Sequence, residues 1–102
     1  MHTLHYYCFM KRYDWNDDKN ECLSQGRGIT FEGIVFHLSS GGLLDTVEHP
    51  NQEQYPGQRI FIVNVEDYAY LVPFVEDDET IFLKTIIPSR KMTKKYLEDY
   101  SK

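Results

Sequence analysis

The chain has 102 residues, of which 41% are apolar and 26% are charged, values typical of a single globular domain with one hydrophobic core. Its formal net charge of −5 argues against a general nucleic-acid-binding protein, which would carry an excess of basic residues. The longest apolar runs, such as residues 71–75, are too short to span a bilayer, and the N-terminus lacks the pattern of a secretion signal. We therefore expect one cytoplasmic domain over residues 1–102, without membrane contact.

The first residues of the chain have the character of an extension. We interpret residues 1–9 in this way and expect the core to cover about residues 10–100, because Met10 would serve equally well as a natural start. Cys8 and Cys22 form no CxxC motif, so we expect two ordinary thiols.

Two helices are predicted in the N-terminal half, after a short strand at residues 12–15. Asn16 is suited to cap the first helix, which should run to about Ser24. Thr30 is suited to cap the second, and Gly41 with its glycine neighbour should end it. Four apolar residues of this second helix recur at the spacing of one helix face: Phe31, Ile34, Val35 and Leu38.

The C-terminal half is predicted to be mostly strand. β-branched and aromatic residues, separated by short polar turns, indicate an antiparallel meander. The predicted strands are residues 43–47, 59–65, 68–75 and 80–87, with a loop at 49–57. Pro73 should create a bulge or an unpaired edge, and Ser89 should cap a short final helix. The fold class is therefore α+β: a small antiparallel sheet of about four strands, two N-terminal helices and a short C-terminal helix.

Charge is distributed unevenly along the chain. Residues 84–102 hold six cations and two anions, a net charge of +4, whereas residues 1–83 hold five cations and fourteen anions, a net charge of −9. A basic segment of this kind can bind phosphate even in an acidic protein, although composition alone favours a solvated helix face.

Three stretches of this sequence, in this order, resemble the BrnT-like toxin family of type II toxin–antitoxin systems. They are residues 13–20 (YDWNDDKN), 28–32 (GITFE) and 86–94 (IIPSRKMTK). The resemblance implies a RelE-like fold and a metal-independent endoribonuclease, an mRNA interferase that arrests growth. It also implies a cognate antitoxin encoded beside the toxin, which masks the active site and carries the contact to operator DNA. We expect no cofactor and no metal.

RNA cleavage without a metal needs a base for the 2′-OH, cations for the transition-state phosphate and an acid for the leaving 5′-oxygen. Arg90 is the first choice for the cation, because its guanidinium fits two phosphate oxygens and the family resemblance includes this position. The other predicted catalytic residues are Lys91, Lys84, Arg59 and His49, and the predicted RNA-binding residues are Lys94 and Lys95. For Arg59 an ion pair with Glu48 or Glu53 is an equal alternative, and for His49 the alternative is a loop histidine without a role.

Several polar residues are interpreted as structural. Glu32 is best explained by the positive end of the second helix, and Tyr96 by packing in a stripe with Met92 and Tyr100. The acidic run at residues 76–79 is interpreted as a solvated turn.

A second class of function stays open from the sequence. The acidic composition, the absence of a histidine before Gly28 and the lack of an obvious base favour a decayed toxin-like module that only binds its antitoxin. A nucleic-acid-binding regulator without cleavage activity would need more positive charge. Growth arrest on expression, relieved by the neighbouring gene, would distinguish a toxin from a decayed module.

Overall fold

The computed structural model describes residues 11–98, which form a six-stranded sheet and several helices. The elements in chain order are β1 (Arg12–Asp14), α1 (Asp17–Arg27), α2 (Phe31–Ser39), β2 (Leu43–Glu48), β3 (Arg59–Val65), β4 (Tyr68–Glu76), β5 (Thr80–Leu83), β6 (Ile87–Pro88), α3 (Arg90–Thr93) and a π-helical segment (Lys94–Glu98). The predicted N-terminal extension with Cys8, and also Tyr100, lie outside these residues. No helix in residues 11–98 is long and apolar enough to cross a membrane.

The predicted helix caps are confirmed. The Asn16 side chain accepts a hydrogen bond from the backbone N–H of Lys19, and the Thr30 and Ser89 side chains do the same for their helices. Helix α1 is three residues longer than predicted, because it ends at Gly28 rather than near Ser24. Gly28 adopts φ 70°, and its N–H donates to the Ser24 carbonyl, which closes the helix in the left-handed conformation that glycine favours.

The α+β class is confirmed, but the sheet is larger and more mixed than predicted. Strands β2 to β5 form the expected antiparallel meander, whereas β1 pairs parallel with β5 at the edge of the order β1-β5-β4-β3-β2. The N–H of Arg12 donates to the Glu79 carbonyl at 3.0 Å as this pairing begins. A three-residue strand needs a neighbour for its backbone groups, and the sequence gives no sign of which strand that is.

The last predicted strand is divided, and Pro73 explains where. Of the two predicted alternatives, a bulge or an unpaired edge, the structure shows the second: the β3–β4 register passes through Ile60 and Pro73 without a bulge. On the opposite edge of β4, pairing with β5 stops at Phe74 and pairing with β6 begins at Leu71. On this edge the Pro73 carbonyl accepts a hydrogen bond from the Lys84 N–H. Proline has no N–H to donate, and Pro73 lies in the gap between the β4–β5 and β4–β6 pairings, where none is required.

Helices lie on both faces of the sheet because side chains alternate along each strand. One face carries a core that includes Phe61 and Phe74 and packs against α1 and α2. The opposite face buries Ile62, which is 1% exposed. The Tyr96 hydroxyl of the π-helical segment donates to Asp45, the register partner of Ile62, and thereby holds the C-terminal segment on that side.

Candidate functional site

An open pocket lies at the end of the sheet where β3 begins and β4 ends. Its volume is about 360 Å³. Eight residues line it: Lys11, Tyr13, Thr46, Arg59, Phe61, Phe74, Glu76 and Ile81. Three of these side chains are apolar (Phe61, Phe74 and Ile81) and four are ionised or phenolic (Lys11, Arg59, Glu76 and Tyr13), so the pocket combines an apolar base with polar groups. We call it the Arg59–Glu76 pocket.

Strand register brings the polar side chains of the pocket together. Arg59 is the register partner of Phe74, and Glu76 lies two residues further along β4 on the same face. Glu76 is in turn the partner of Ile81, and Ile81 is the partner of Tyr13 across the parallel pair. These side chains therefore span four adjacent strands, from β1 to β3, and Thr46 extends the pocket to β2.

Glu76 is bound by two cations. Its Oε2 atom lies 2.6 Å from Nζ of Lys11, and its Oε1 atom accepts a hydrogen bond from Nη2 of Arg59. The side chains remain reachable from solvent, with exposed fractions of 45% for Arg59 and 26% for Glu76. Two positive charges and one negative charge leave the pocket with a local charge of +1.

The floor of the pocket is formed by two side chains of the hydrophobic core. The Phe61 and Phe74 rings stack with centroids 3.9 Å apart and an interplanar angle of 8°. The guanidinium carbon of Arg59 lies 5.1 Å from the centre of the Phe74 ring. The guanidinium therefore lies over a buried ring and also binds Glu76, two contacts that favour one orientation of its donors.

Tyr13 supplies a hydroxyl that stays protonated. Burial raises the pKa of this phenol, and the negative charge of Glu76 raises it further. A tyrosine of this kind acts near neutral pH as a hydrogen-bond or proton donor and not as a base.

The residues predicted from the sequence occupy two ends of the sheet. Arg59 lies in the pocket. Arg90 and Lys91 begin α3, directly after Ser89, whose N–H donates to the Ala69 carbonyl near the start of β4. Ala69 and the Arg59 partner Phe74 are separated by roughly 17 Å of strand, at about 3.3 Å per residue. Arg59 and Arg90 therefore do not share a site in this structure.

The remaining predicted residues do not line the pocket. Lys84 lies over the Phe82 ring, 5.6 Å from its centre, and Lys95 lies over the ring of its neighbour Tyr96. Lys94 is exposed. His49 is at the same end of the sheet as Arg59, but its Nδ1 accepts from the Asn51 N–H, and its ring packs 4.4 Å from that of Tyr55.

Sequence reasoning missed three ionised or phenolic residues of the pocket and both of its ion pairs. The partner of Arg59 is Glu76, and not Glu48 or Glu53 as we considered. Glu76 itself was interpreted as part of a solvated turn, and neither Lys11 nor Tyr13 was selected. The signal that could have identified Glu76 is the predicted two-residue turn after Val65, because it fixes the β3–β4 register and places Glu76 diagonally across from Arg59.

Residues of the first two family-like stretches pack against each other. The Trp15 ring stacks on that of Phe31, with centroids 5.7 Å apart. The Asn20 side chain accepts from the Phe31 N–H and donates to the Glu32 carboxylate, each at 2.8 Å. The Asn20 hydrogen bond is the main reason for the lowered pKa of Glu32, so this glutamate is held by a neighbouring helix as well as by its own. These stretches join α1 to α2.

Helix α1 contacts the third family-like stretch (residues 86–94) at its first residue, Ile86. Nη1 of Arg27 donates to the Ile86 carbonyl at 3.0 Å. This bond connects the end of α1 to the segment between β5 and β6.

Comparison with known proteins gives no match: no family model, curated protein or solved structure is significantly similar to this chain. Within residues 11–98, no group of three or more His, Cys, Asp or Glu side chains is close enough to hold a metal ion.

Proposed function

We propose that this chain is the toxin of a type II toxin–antitoxin pair, a BrnT-like protein with a RelE-like fold that cleaves RNA without a metal. Its partners are the RNA substrate and a cognate antitoxin encoded beside it, with operator DNA contacted only through the complex. The α+β class and the contact between the first two family-like stretches support this proposal.

The observation that carries the proposal is the Arg59–Glu76 pocket. It contains the residue types that metal-free RNA cleavage uses: a carboxylate, two cations and a protonated phenol, all reachable from solvent. Its local positive charge favours a phosphodiester, although the whole protein is acidic.

The second candidate is an interaction module that binds the antitoxin and does not cleave. One observation favours it: both pocket cations are already paired with Glu76, so an RNA phosphate must compete for them. The separation of Arg59 from Arg90 adds to this, because the basic C-terminal segment does not reinforce the pocket.

Cleavage of naked RNA in EDTA, without ribosomes and then with them, distinguishes the two candidates. We expect the wild type to cleave RNA, Arg59→Ala to abolish cleavage and Arg90→Ala to retain most of it. Loss of cleavage in Arg90→Ala alone would move the active site to the start of α3. A wild type that cleaves under neither condition and does not arrest growth would favour the interaction module.

A further inference from the structure

We propose that Glu76 is the general base of this pocket, that Arg59 and Lys11 bind the scissile phosphate, and that Tyr13 is the acid. This assignment rests on the proposed ribonuclease function and adds the identity of the groups that perform the reaction.

Glu76 can act as a base while its ion pairs remain. A carboxylate has two oxygens with about four acceptor positions, and Lys11 and Arg59 each use one oxygen. At least one position on each oxygen stays available to a ribose 2′-OH, and the side chain is 26% exposed on the open side of the pocket. A base must reach the proton that it removes, and Glu76 is the carboxylate that lines this pocket.

The two cations are suited to the charge that develops on the phosphate. Arg59 has five N–H donors in a planar fork and uses Nη2 for Glu76, so other donors can reach phosphate oxygens. When Glu76 accepts a proton, its negative charge disappears and the pocket changes from +1 to +2. This increase occurs as the phosphorane gains its second negative charge, so electrostatic stabilisation is strongest in the transition state.

Tyr13 is the phenol that lines this pocket. It belongs to the row Tyr13–Ile81–Glu76 that runs across three strands, so Ile81 lies between the phenol and the carboxylate and the two face the phosphate from different strands. Its raised pKa keeps the proton on the hydroxyl until a stronger base forms beside it. The departing 5′-alkoxide is such a base.

The reaction is a transesterification with balanced atoms and charges. The 2′-oxygen forms a bond to phosphorus, the bond from phosphorus to the 5′-oxygen breaks, and the proton of the 2′-OH passes to Glu76. Tyr13 gives its proton to the 5′-oxygen, and solvent then carries the proton from Glu76 back to Tyr13. The products are a 2′,3′-cyclic phosphate and a 5′-OH end, and DNA is not cut because it lacks the 2′-OH.

The test compares Glu76→Gln with wild type and with the matched control Glu79→Gln, an exposed glutamate of the neighbouring turn that does not line the pocket. Two quantities are measured in EDTA: the initial rate of RNA cleavage, and the affinity for a 2′-O-methyl oligonucleotide of the same sequence that cannot be cleaved. We expect Glu76→Gln to lower the rate by about 100-fold or more while its affinity stays equal or rises. Glu79→Gln should match the wild type in both measurements.

The pH dependence of cleavage gives a second readout. The charged and titratable groups around Glu76 are Lys11, Tyr13 and Arg59 in the pocket, with Asp14 and Asp77 on the adjoining surface. If Glu76 is the base, the pH–rate profile of the wild type contains a step that the profile of Glu76→Gln lacks. Thermal unfolding of each variant confirms that a slow protein is folded.

The possible outcomes distinguish the assignment of Glu76 as the base from the proposed ribonuclease function. An active wild type with an equally active Glu76→Gln would overturn Glu76 as the base and leave the ribonuclease standing. A Glu76→Gln variant that loses affinity as much as rate would also overturn the assignment, because the residue would then only shape the pocket. A wild type without cleavage, with or without ribosomes, would remove the ribonuclease function itself.

Discussion

Arg59 lies directly opposite Phe74 in the β3–β4 ladder, and its guanidinium carbon lies 5.1 Å from the centre of the Phe74 ring. The ring is 1% exposed, so it is a fixed surface on which the planar guanidinium can rest. Stacking and the ion pair with Glu76 together set the direction in which the free donors of Arg59 point.

Arg59→Lys tests whether this planar geometry matters beyond charge. Lysine keeps the positive charge but lacks the flat, forked donor set, so we expect RNA cleavage to fall by about 10- to 100-fold. The matched control is Lys84→Arg, which exchanges the same two residue types over the Phe82 ring outside the pocket and should leave the rate unchanged. Equal rates for Arg59→Lys and wild type would mean that only the charge is used.

The aromatic floor should contribute strongly to stability. Phe74 stacks on Phe61 within the core, so Phe74→Ala removes a fully buried ring and should lower the free energy of unfolding by about 3–5 kcal/mol. Phe36→Ala is the control, because Phe36 is 65% exposed and its removal should change stability by less than about 0.5 kcal/mol. Urea unfolding measures both, and equal losses would contradict the burial of the floor.

The meander and the helix caps could be predicted because they depend on neighbouring residues. Asn16, Thr30 and Ser89 cap their helices through bonds to backbone groups three residues later, and such bonds are visible in the sequence. The turn at Glu66–Asp67 is equally local, although both residues adopt positive φ without being glycine.

The rest of the pocket could not be predicted because it depends on long-range pairing. Lys11 and Tyr13 reach Glu76 only because β1 pairs parallel with β5, about 70 residues further along the chain. No periodicity in a three-residue strand identifies its partner. The positions of Arg59 and Glu76 follow from the meander register, whereas the positions of Lys11 and Tyr13 follow from this one tertiary pairing.

Gly42 and Gly26 should respond to alanine in opposite directions. A Cβ atom at Gly42 would lie 2.8 Å from the His37 carbonyl oxygen and 3.0 Å from that of Asn64, so Gly42→Ala should destabilise the fold by about 1–3 kcal/mol. A Cβ at Gly26 meets open space within α1, and Gly26→Ala should stabilise by about 0.5–1 kcal/mol. Thermal and urea unfolding test the pair, and a stable Gly42→Ala would contradict the close approach of α2 and β3 at this glycine.

The bond from Tyr96 to Asp45 predicts a dependence on acid pH. Hydrogen bonding by the Tyr96 hydroxyl is the largest cause of the lowered pKa of Asp45, followed by the backbone N–H of Thr46 and the charge of Lys95. A carboxyl whose pKa is lower in the folded state stabilises the fold above its ordinary pKa of 3.8. That contribution disappears as the pH falls through the folded value.

Tyr96→Phe removes this donor and keeps the ring. We expect the Asp45 pKa, measured by NMR titration of the carboxyl, to rise toward its ordinary value in the variant. The difference in unfolding free energy between wild type and Tyr96→Phe should be constant near neutral pH and should shrink below pH 3.8. Asp77 is the internal control, because its pKa is lowered mainly by the backbone N–H groups of Glu79 and Thr80 and should not move. An unchanged Asp45 titration would mean that the C-terminal segment does not hold this carboxylate in solution, and a shift of both carboxyls would indicate a general change in the fold.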